Sequence, residues 1–127
     1  MTDSLILRVW QSKDSTQLPD LLAEEATFSS PVADYHGRAR AAHLLATIAT
    51  VLDSVRQTRQ WTDGRQGMFA FTARFADQEL QGVLREELSE TGSLTHVTLF
   101  LRPYRALRAA IAEMARRLDD SPPPHAA

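Results

Sequence analysis

The sequence of 127 residues contains no cysteine. Disulfides, a thiol nucleophile and cysteine-ligated zinc or iron–sulfur sites are therefore excluded. No apolar run reaches the roughly 18 residues of a membrane-spanning helix, and the first residues lack the pattern of a signal peptide. The formal net charge of −2 is too small to favour a nucleic acid or a membrane as a partner. We therefore expect a cytoplasmic domain that binds neither.

Motifs for catalysis and for metal binding are also missing. The Gly-x-Ser-x-Gly, phosphate-loop and dinucleotide-binding patterns do not occur in the sequence. Its four histidines are not at the spacing of metal ligands, so that neither a metal nor a cofactor is predicted. These histidines are His36, His43, His96 and His125.

The composition is that of a folded protein. Hydrophobic residues make up 43% of the sequence and charged residues 24%, and the length fits one domain. We assign residues 1–118 to this domain. Residues 119–127 include three consecutive prolines and no bulky apolar side chain, which predicts a disordered tail.

Hydrophobic periodicity predicts the order of the elements. Apolar residues at helical spacing indicate three helices in the first half, separated by a short strand and a loop. The period then changes to two, and tight turns join four strands in an antiparallel meander before Pro103 opens a last helix. The predicted elements are a first helix that includes residues 6–13, a helix at 17–24 capped by Thr16, a strand at 26–30, a loop at 32–37, a helix at 38–53, strands at 55–62, 66–76, 79–89 and 94–102, and a helix at 103–118.

This order predicts an α+β fold. Helices that collect on one side of a curved antiparallel sheet give such a fold. A sheet that wraps around a long helix leaves a cavity, which is a common place for a ligand.

Three stretches of the chain carry a resemblance to a known family. They are residues 21–31 followed by 35–38, residues 79–83, and residues 97–104 leading into the last helix. In order and spacing, the chain resembles small bacterial members of the SnoaL-like branch of the nuclear transport factor two-like superfamily. The resemblance implies a cone-shaped, cystatin-like half-barrel with an apolar pocket, and often a homodimer packed through the sheets. Because the superfamily includes ketosteroid isomerase, scytalone dehydratase, limonene epoxide hydrolase, polyketide cyclases and non-enzymatic binding modules, the fold alone does not select a function.

Glu86 is the first candidate for catalysis. Many relatives have an aspartate after the Gly-Val pair of the second stretch, whereas this chain has Leu84 there, and Glu86 follows two positions later on the same strand face. A buried Glu86 with a raised pKa would act as a general acid or base, with His96 or Arg102 stabilising developing charge. The alternative is that Glu86 continues a solvated polar run, that Arg102 pairs with a carboxylate at the start of the last helix, and that His96 faces solvent or a second subunit.

A second group of residues is expected to line the pocket and contact the ligand. It combines aromatic, polar and apolar side chains near the expected cavity, although aromatic residues in such a pattern more often belong to a core. The group is Phe28, Ser30, Tyr35, Trp61, Phe71, Leu84, Thr98 and Phe100.

Two functions are therefore open. The first is binding of a small apolar molecule in the pocket, either alone or with a cofactor-independent isomerase, dehydratase, cyclase or hydrolase reaction. The second is a non-catalytic module that binds a ligand or a partner protein. A homodimer is expected in both cases, because a four-stranded meander exposes a broad sheet face.

Overall fold

The computed structural model describes residues 3–124. His125 and the last two residues of the predicted tail lie outside the described residues, as do residues 1 and 2. The elements are α1 (Leu5–Ser12), a 3-10 turn (Ser15–Gln17), α2 (Leu18–Leu21), β1 (Leu22–Ser29), β2 (Asp34–His36), α3 (Arg38–Val51), β3 (Asp53–Asp63), β4 (Gln66–Phe75), β5 (Gln78–Leu88), β6 (Leu94–Arg102) and α4 (Tyr104–Asp120).

The strands form one curved, open sheet in the order β2-β1-β6-β5-β4-β3. The predicted α+β half-barrel is confirmed, and so is the antiparallel meander from β3 to β6. One pair departs from the antiparallel arrangement, because β1 runs parallel to β6. This pairing joins the start of the chain to its last strand, and all three meander hairpins lie between them in the sequence.

The predicted helix at 17–24 is too long. The structure has a 3-10 turn followed by the short α2, which ends at Leu21, and β1 begins at Leu22. Leu22 is buried and is aligned with Leu94 of β6, so sheet pairing overrides the helical spacing of the leucines. The predicted cap is also wrong, because the Asp14 side chain accepts a hydrogen bond from the Thr16 N–H at 3.2 Å.

The segment predicted as a loop at 32–37 contains the edge strand β2. This strand pairs antiparallel with β1, and Thr27 is aligned with His36. The Ser30 hydroxyl organises the turn before it by accepting hydrogen bonds from the N–H groups of Val32 and Ala33, both at 3.1 Å. Such serine turns give a short segment a fixed entry into a strand.

The core lies between the inner face of the sheet and the helices α1 and α3. Trp10 of α1 is fully buried, donates a hydrogen bond to the Leu45 carbonyl at 3.0 Å, and meets the ring of Phe71 edge-on at 5.8 Å. A Cβ atom at Gly82 would stand 2.5 Å from the Phe71 ring, so the glycine makes room for this ring on the neighbouring strand. These aromatic contacts fill the centre of the half-barrel.

Lys13 joins two helices at the rim of the core. It ends α1 in the left-handed conformation, with φ 62°, and its ammonium donates to the Ala49 carbonyl at 2.6 Å and to the Leu52 carbonyl. These carbonyls end α3, where a positive charge favours the helix dipole.

The last helix lies on the outside of this core. Of its residues, Ala106 and Ala110 are buried, and it ends at Asp120, two residues beyond the predicted domain boundary. Within residues 3–124, no helix has the length and hydropathy of a membrane span, and no three potential metal-ligating side chains cluster.

Candidate functional site

An apolar cavity of about 140 Å³ lies between α3, α4, the end of β6 and the turn that joins β1 to β2. Its walls come from helical stripes and from the inner face of β6, and Val32 at its mouth is 62% exposed. The lining residues are Ser30, Pro31, Val32, Tyr35, Ile48, Val51, Leu52, Leu99, Leu101, Leu107, Ala110, Ile111, Met114, Ala115 and Leu118.

Helix α4 supplies six of the fifteen residues that line this cavity. Its two buried residues are alanines, and Leu107, Ile111 and Met114 line the space between the helices. A helix with an apolar stripe normally buries that stripe against a neighbour. Here Ala110 and Ala115 share the lining with the larger side chains of the same helix.

Two lining residues carry polar side chains. The Ser30 hydroxyl is already bonded within its own turn. The Tyr35 ring stacks on Phe28 at 6.2 Å, and the Arg40 guanidinium lies 5.6 Å from the centre of the tyrosine ring. The Tyr35 hydroxyl has no hydrogen-bond partner in the described part of the chain.

Glu86 lies elsewhere on the inner face of the sheet, below the start of α1. Its side chain is 4% exposed, so the alternative of a solvated strand end is wrong. One carboxylate oxygen accepts from the Leu5 N–H at 3.1 Å, and the other accepts from the Ile6 N–H at 3.3 Å and from the Ser4 hydroxyl. Glu86 therefore caps the N-terminus of α1 from another part of the chain.

The pKa of Glu86 is raised above its ordinary value of 4.5. Burial is the main cause, because removal from water disfavours the charged form. The hydrogen bonds from Ser4, Leu5 and Ile6 act in the opposite direction and reduce the rise. This direction agrees with the expectation for a desolvated carboxyl, but the group faces a helix end and is not among the cavity-lining residues.

The other two candidate catalytic residues are on the opposite face of the sheet. Glu86 is aligned with the inward-facing Val97, whereas His96 is aligned with Glu87 on the outer face. His96 shares a 3.1 Å hydrogen bond with the hydroxyl of Ser29. Arg102 is exposed and donates to the Gln81 side chain at 2.6 Å. The structure therefore does not bring Glu86 together with His96 or Arg102.

Comparisons with known proteins place this geometry in a family. No family model matches the sequence, and no curated protein matches it. Among solved structures, a steroid delta-isomerase from Pseudomonas aeruginosa is 32% identical, with 89% of this chain and 85% of that chain covered and a TM-score of 0.85. The chain belongs to the nuclear transport factor two-like (NTF2-like) superfamily.

More distant structures share the fold. An uncharacterised bacterial protein with a cystatin-like fold from Silicibacter pomeroyi is 24% identical, with 91% and 84% of the two chains covered and a TM-score of 0.86. An NTF2-like protein of unknown function from Cytophaga hutchinsonii is 12% identical, with 80% and 88% covered and a TM-score of 0.66. The finer assignment to the SnoaL-like branch stays a prediction.

The predicted ligand-contacting residues fall into three places in this NTF2-like domain. Ser30 and Tyr35 line the cavity. Three others belong to the buried core and three lie on the strands' outer face or at its edge. The core residues are Phe28, Phe71 and Leu84, and the outer residues are Trp61, Thr98 and Phe100.

Sequence reasoning missed most of the lining of this NTF2-like cavity. The apolar stripes of α3 and α4 and the inner face of β6 are evident in the sequence, but their pattern is that of ordinary core. The available signal is in α4, where Ala106 and Ala110 alternate with the bulkier Leu107 and Ile111. Small residues between large ones on an apolar helix face are compatible with a cavity beside the helix.

Proposed function

We propose that this protein binds a small apolar molecule in the cavity between α3, α4 and β6. The observation that carries the proposal is the lining, which is aliphatic except for Ser30 and Tyr35 and includes no carboxylate and no imidazole. Binding there gains free energy from removal of apolar surface from water. The Tyr35 hydroxyl supplies one polar contact, which suits a ligand with a single hydroxyl or carbonyl group.

The volume limits the size of the ligand. A cavity of about 140 Å³ is close to the roughly 150 Å³ apolar cavity that holds a benzene molecule, and is smaller than the roughly 300 Å³ or more of a site for drug-sized ligands. One ring or a short branched chain fits inside. A molecule with several fused rings would have to project through the mouth beside Val32.

A second candidate function is acid–base catalysis on such a molecule. The raised pKa of Glu86 favours it, and the Pseudomonas aeruginosa protein that is 32% identical is a steroid delta-isomerase by name. Both Glu86 oxygens are engaged by the start of α1, however, and a substrate would reach them only if Ser4 and Leu5 moved. We therefore rank binding first.

The binding experiment uses para-cresol and toluene as probes, which differ by one hydroxyl group. Titration followed by methyl NMR should give saturable shifts with both, and tighter binding of para-cresol through Tyr35. Ile111→Trp fills the cavity and should abolish the shifts. Ala112→Trp is the matched control, because Ala112 is exposed on the same helix and is not a lining residue.

The results separate the two functions. Unchanged binding in Ile111→Trp would refute the cavity as the site. Native mass spectrometry of gently purified protein should show an added mass that Ile111→Trp lacks. If Glu86→Gln abolishes turnover of a bound ligand while its affinity is unchanged, the second candidate replaces the first.

A further inference from the structure

Arg40, near the start of α3, has a buried nitrogen atom that makes no hydrogen bond. The side chain as a whole is half-buried, and its Nε is the one buried side-chain nitrogen or oxygen of residues 3–124 that lacks a hydrogen-bond partner. Over the same residues the guanidinium is in no ion pair. Buried N–H groups in proteins are normally hydrogen-bonded, and each exception requires an explanation.

Tyr35 connects Arg40 to the apolar cavity. It is a lining residue, and the guanidinium carbon of Arg40 lies 5.6 Å from the centre of its ring. Arg40 also shares a side of α3 with the lining residue Val51, because the two are eleven residues apart and about three helical turns give nearly the same direction. The positive charge therefore stands at the Tyr35 end of the cavity, next to the lining but not part of it.

The polar groups at this end of the cavity are hydrogen-bond donors. The Ser30 hydroxyl is fully used, because it donates to the Ala33 carbonyl and accepts from the N–H groups of Val32 and Ala33. The Tyr35 hydroxyl and the Arg40 guanidinium remain, and a guanidinium donates hydrogen bonds but accepts none. The ligand group that meets them must therefore be an acceptor.

We propose that the ligand of the cavity is a small apolar monocarboxylic acid whose carboxylate binds Arg40 and the Tyr35 hydroxyl. This inference rests on the proposed function and names the chemical class of its ligand. The apolar part of the acid lies among the aliphatic side chains of the lining. Its carboxylate lies outside them, where the planar guanidinium can donate two parallel hydrogen bonds to the two oxygens.

A carboxylate suits this place better than a neutral group or a phosphate. Hydrogen bonds that involve an ionised partner are roughly twice as strong as neutral ones. A phosphate monoester carries about −1.5 to −2 charges at neutral pH, whereas Arg40 supplies one positive charge. A carboxylate also leaves the cavity of about 140 Å³ to a body of one ring or a short branched chain.

Three probes with one ring test the proposal at neutral pH: toluene, para-toluate and para-toluamide. The last two have nearly the same shape and differ in charge, so their comparison isolates the effect of the carboxylate. The parent protein should bind para-toluate at least about tenfold more tightly than para-toluamide, as expected for one hydrogen bond to a charged group. Arg40→Gln should remove this difference and leave the affinity for toluene unchanged. Titrations followed by methyl NMR measure the three dissociation constants.

Two further variants serve as controls. Arg8→Gln removes an arginine that is exposed on α1 and is not a lining residue, so all three dissociation constants should stay as in the parent. Ile111→Trp fills the cavity and should abolish the binding of every probe. Toluene also verifies the cavity itself, because a variant that binds it as the parent does has kept the cavity intact.

The other outcomes contradict the proposal in distinguishable ways. If the parent binds toluene but does not prefer para-toluate to para-toluamide, the inference is wrong and the proposed function stands. The same follows if Arg40→Gln keeps the preference, or if Ile111→Trp still binds para-toluate, because the carboxylate then binds elsewhere. A loss of toluene binding in Arg40→Gln would show that Arg40 supports the wall of the cavity and not the ligand. If toluene does not bind the parent, the proposed function fails and the inference fails with it.

Discussion

Two regions on the inner side of the sheet differ in what they contain. At the start of α1, Glu86, Ser4 and two backbone N–H groups fill the space and bond to one another. Beside α4 there is an open volume with almost no polar atom. The Glu86 carboxyl group therefore lies in a closely packed region, whereas the lining of the cavity includes no charged side chain. This separation is the reason for ranking binding above catalysis.

The largest expected effect is at the polar region. Glu86→Ala removes the acceptor of the Ser4 hydroxyl and of the Leu5 and Ile6 N–H groups, and the buried Ser4 and Ile6 groups lose this partner. The free energy of unfolding should fall by about 3 kcal/mol, as measured by urea denaturation. Glu87→Ala on the outer face is the control and should change it by less than about 0.5 kcal/mol. Equal effects of the two variants would mean that Glu86 is not the cap of α1.

A smaller effect is expected at the cavity. Ile111→Ala enlarges the space between α3 and α4 and should lower the free energy of unfolding by about 2 kcal/mol. The same variant should bind a two-ring probe such as naphthalene more tightly than the parent protein, whose cavity of about 140 Å³ is close to the size that holds one ring. Equal naphthalene binding by the parent would show that the cavity opens more widely in solution.

The pH dependence of the free energy of unfolding tests the burial of Glu86 independently of the cavity. The pKa of Glu86 is higher in the folded protein than its ordinary value of 4.5, so folding favours the protonated form. Stability relative to Glu86→Gln should be highest below pH 4.5 and should fall as the pH rises through the folded pKa. Glu113, whose pKa the hydrogen bond from Arg116 lowers to about 2, has the opposite dependence and cancels in this comparison because both proteins contain it. A difference that rises with pH would contradict the burial of Glu86.

A pH titration also tests whether a ligand in the cavity affects Glu86. Carbon-detected NMR of the glutamates should give a Glu86 midpoint above 4.5, with no change when para-cresol fills the cavity. A shift of the midpoint on binding would show that ligand binding and the ionisation of Glu86 are coupled, and would favour acid–base catalysis as the function.

The smallest effect is expected at the end of the chain. Residues 121–127 follow α4, and the Ser121 carbonyl lies 2.7 Å from His43 Nε2. Removal of residues 121–127 leaves every cavity-lining residue in place, and the free energy of unfolding should change by no more than about 0.5 kcal/mol. A larger loss, measured by thermal unfolding, would show that the tail supports the α4 wall of the cavity.

Local patterns predict those parts of the fold that depend on neighbours in sequence. The bounds of β6 are predicted to the residue, and Pro103 correctly marks the start of α4. The errors concern β1 and β2, which form because distant strands provide partners. Leu22 has helical spacing with its neighbouring leucines, yet it pairs with Leu94, which is 72 positions later. Periodicity within one segment does not contain that information.

The candidate site was less accessible to prediction for a related reason. Leucines alternate with Glu86 along β5 and favour its burial, whereas the polar run formed with its neighbours left a solvated position open. Its partners in α1 lie about 80 residues away in the sequence, so the local pattern around Glu86 does not predict that it caps α1. The cavity depends on how closely α4 approaches α3, and the spacing of apolar residues does not determine that distance.

Lys13 offers a single side-chain amine for chemical labelling at the contact between α1 and α3. It is the only lysine among the 127 residues, and its ammonium is held by the carbonyls of Ala49 and Leu52. Acylation by an amine-reactive reagent needs a free, deprotonated amine, so the Lys13 ammonium must first leave these carbonyls and Asp53, 3.4 Å away, by rotation of its 44% exposed side chain. The rate of side-chain labelling at this one position therefore reports how often the contact between α1 and the end of α3 is released, and mass spectrometry measures it without any mutation.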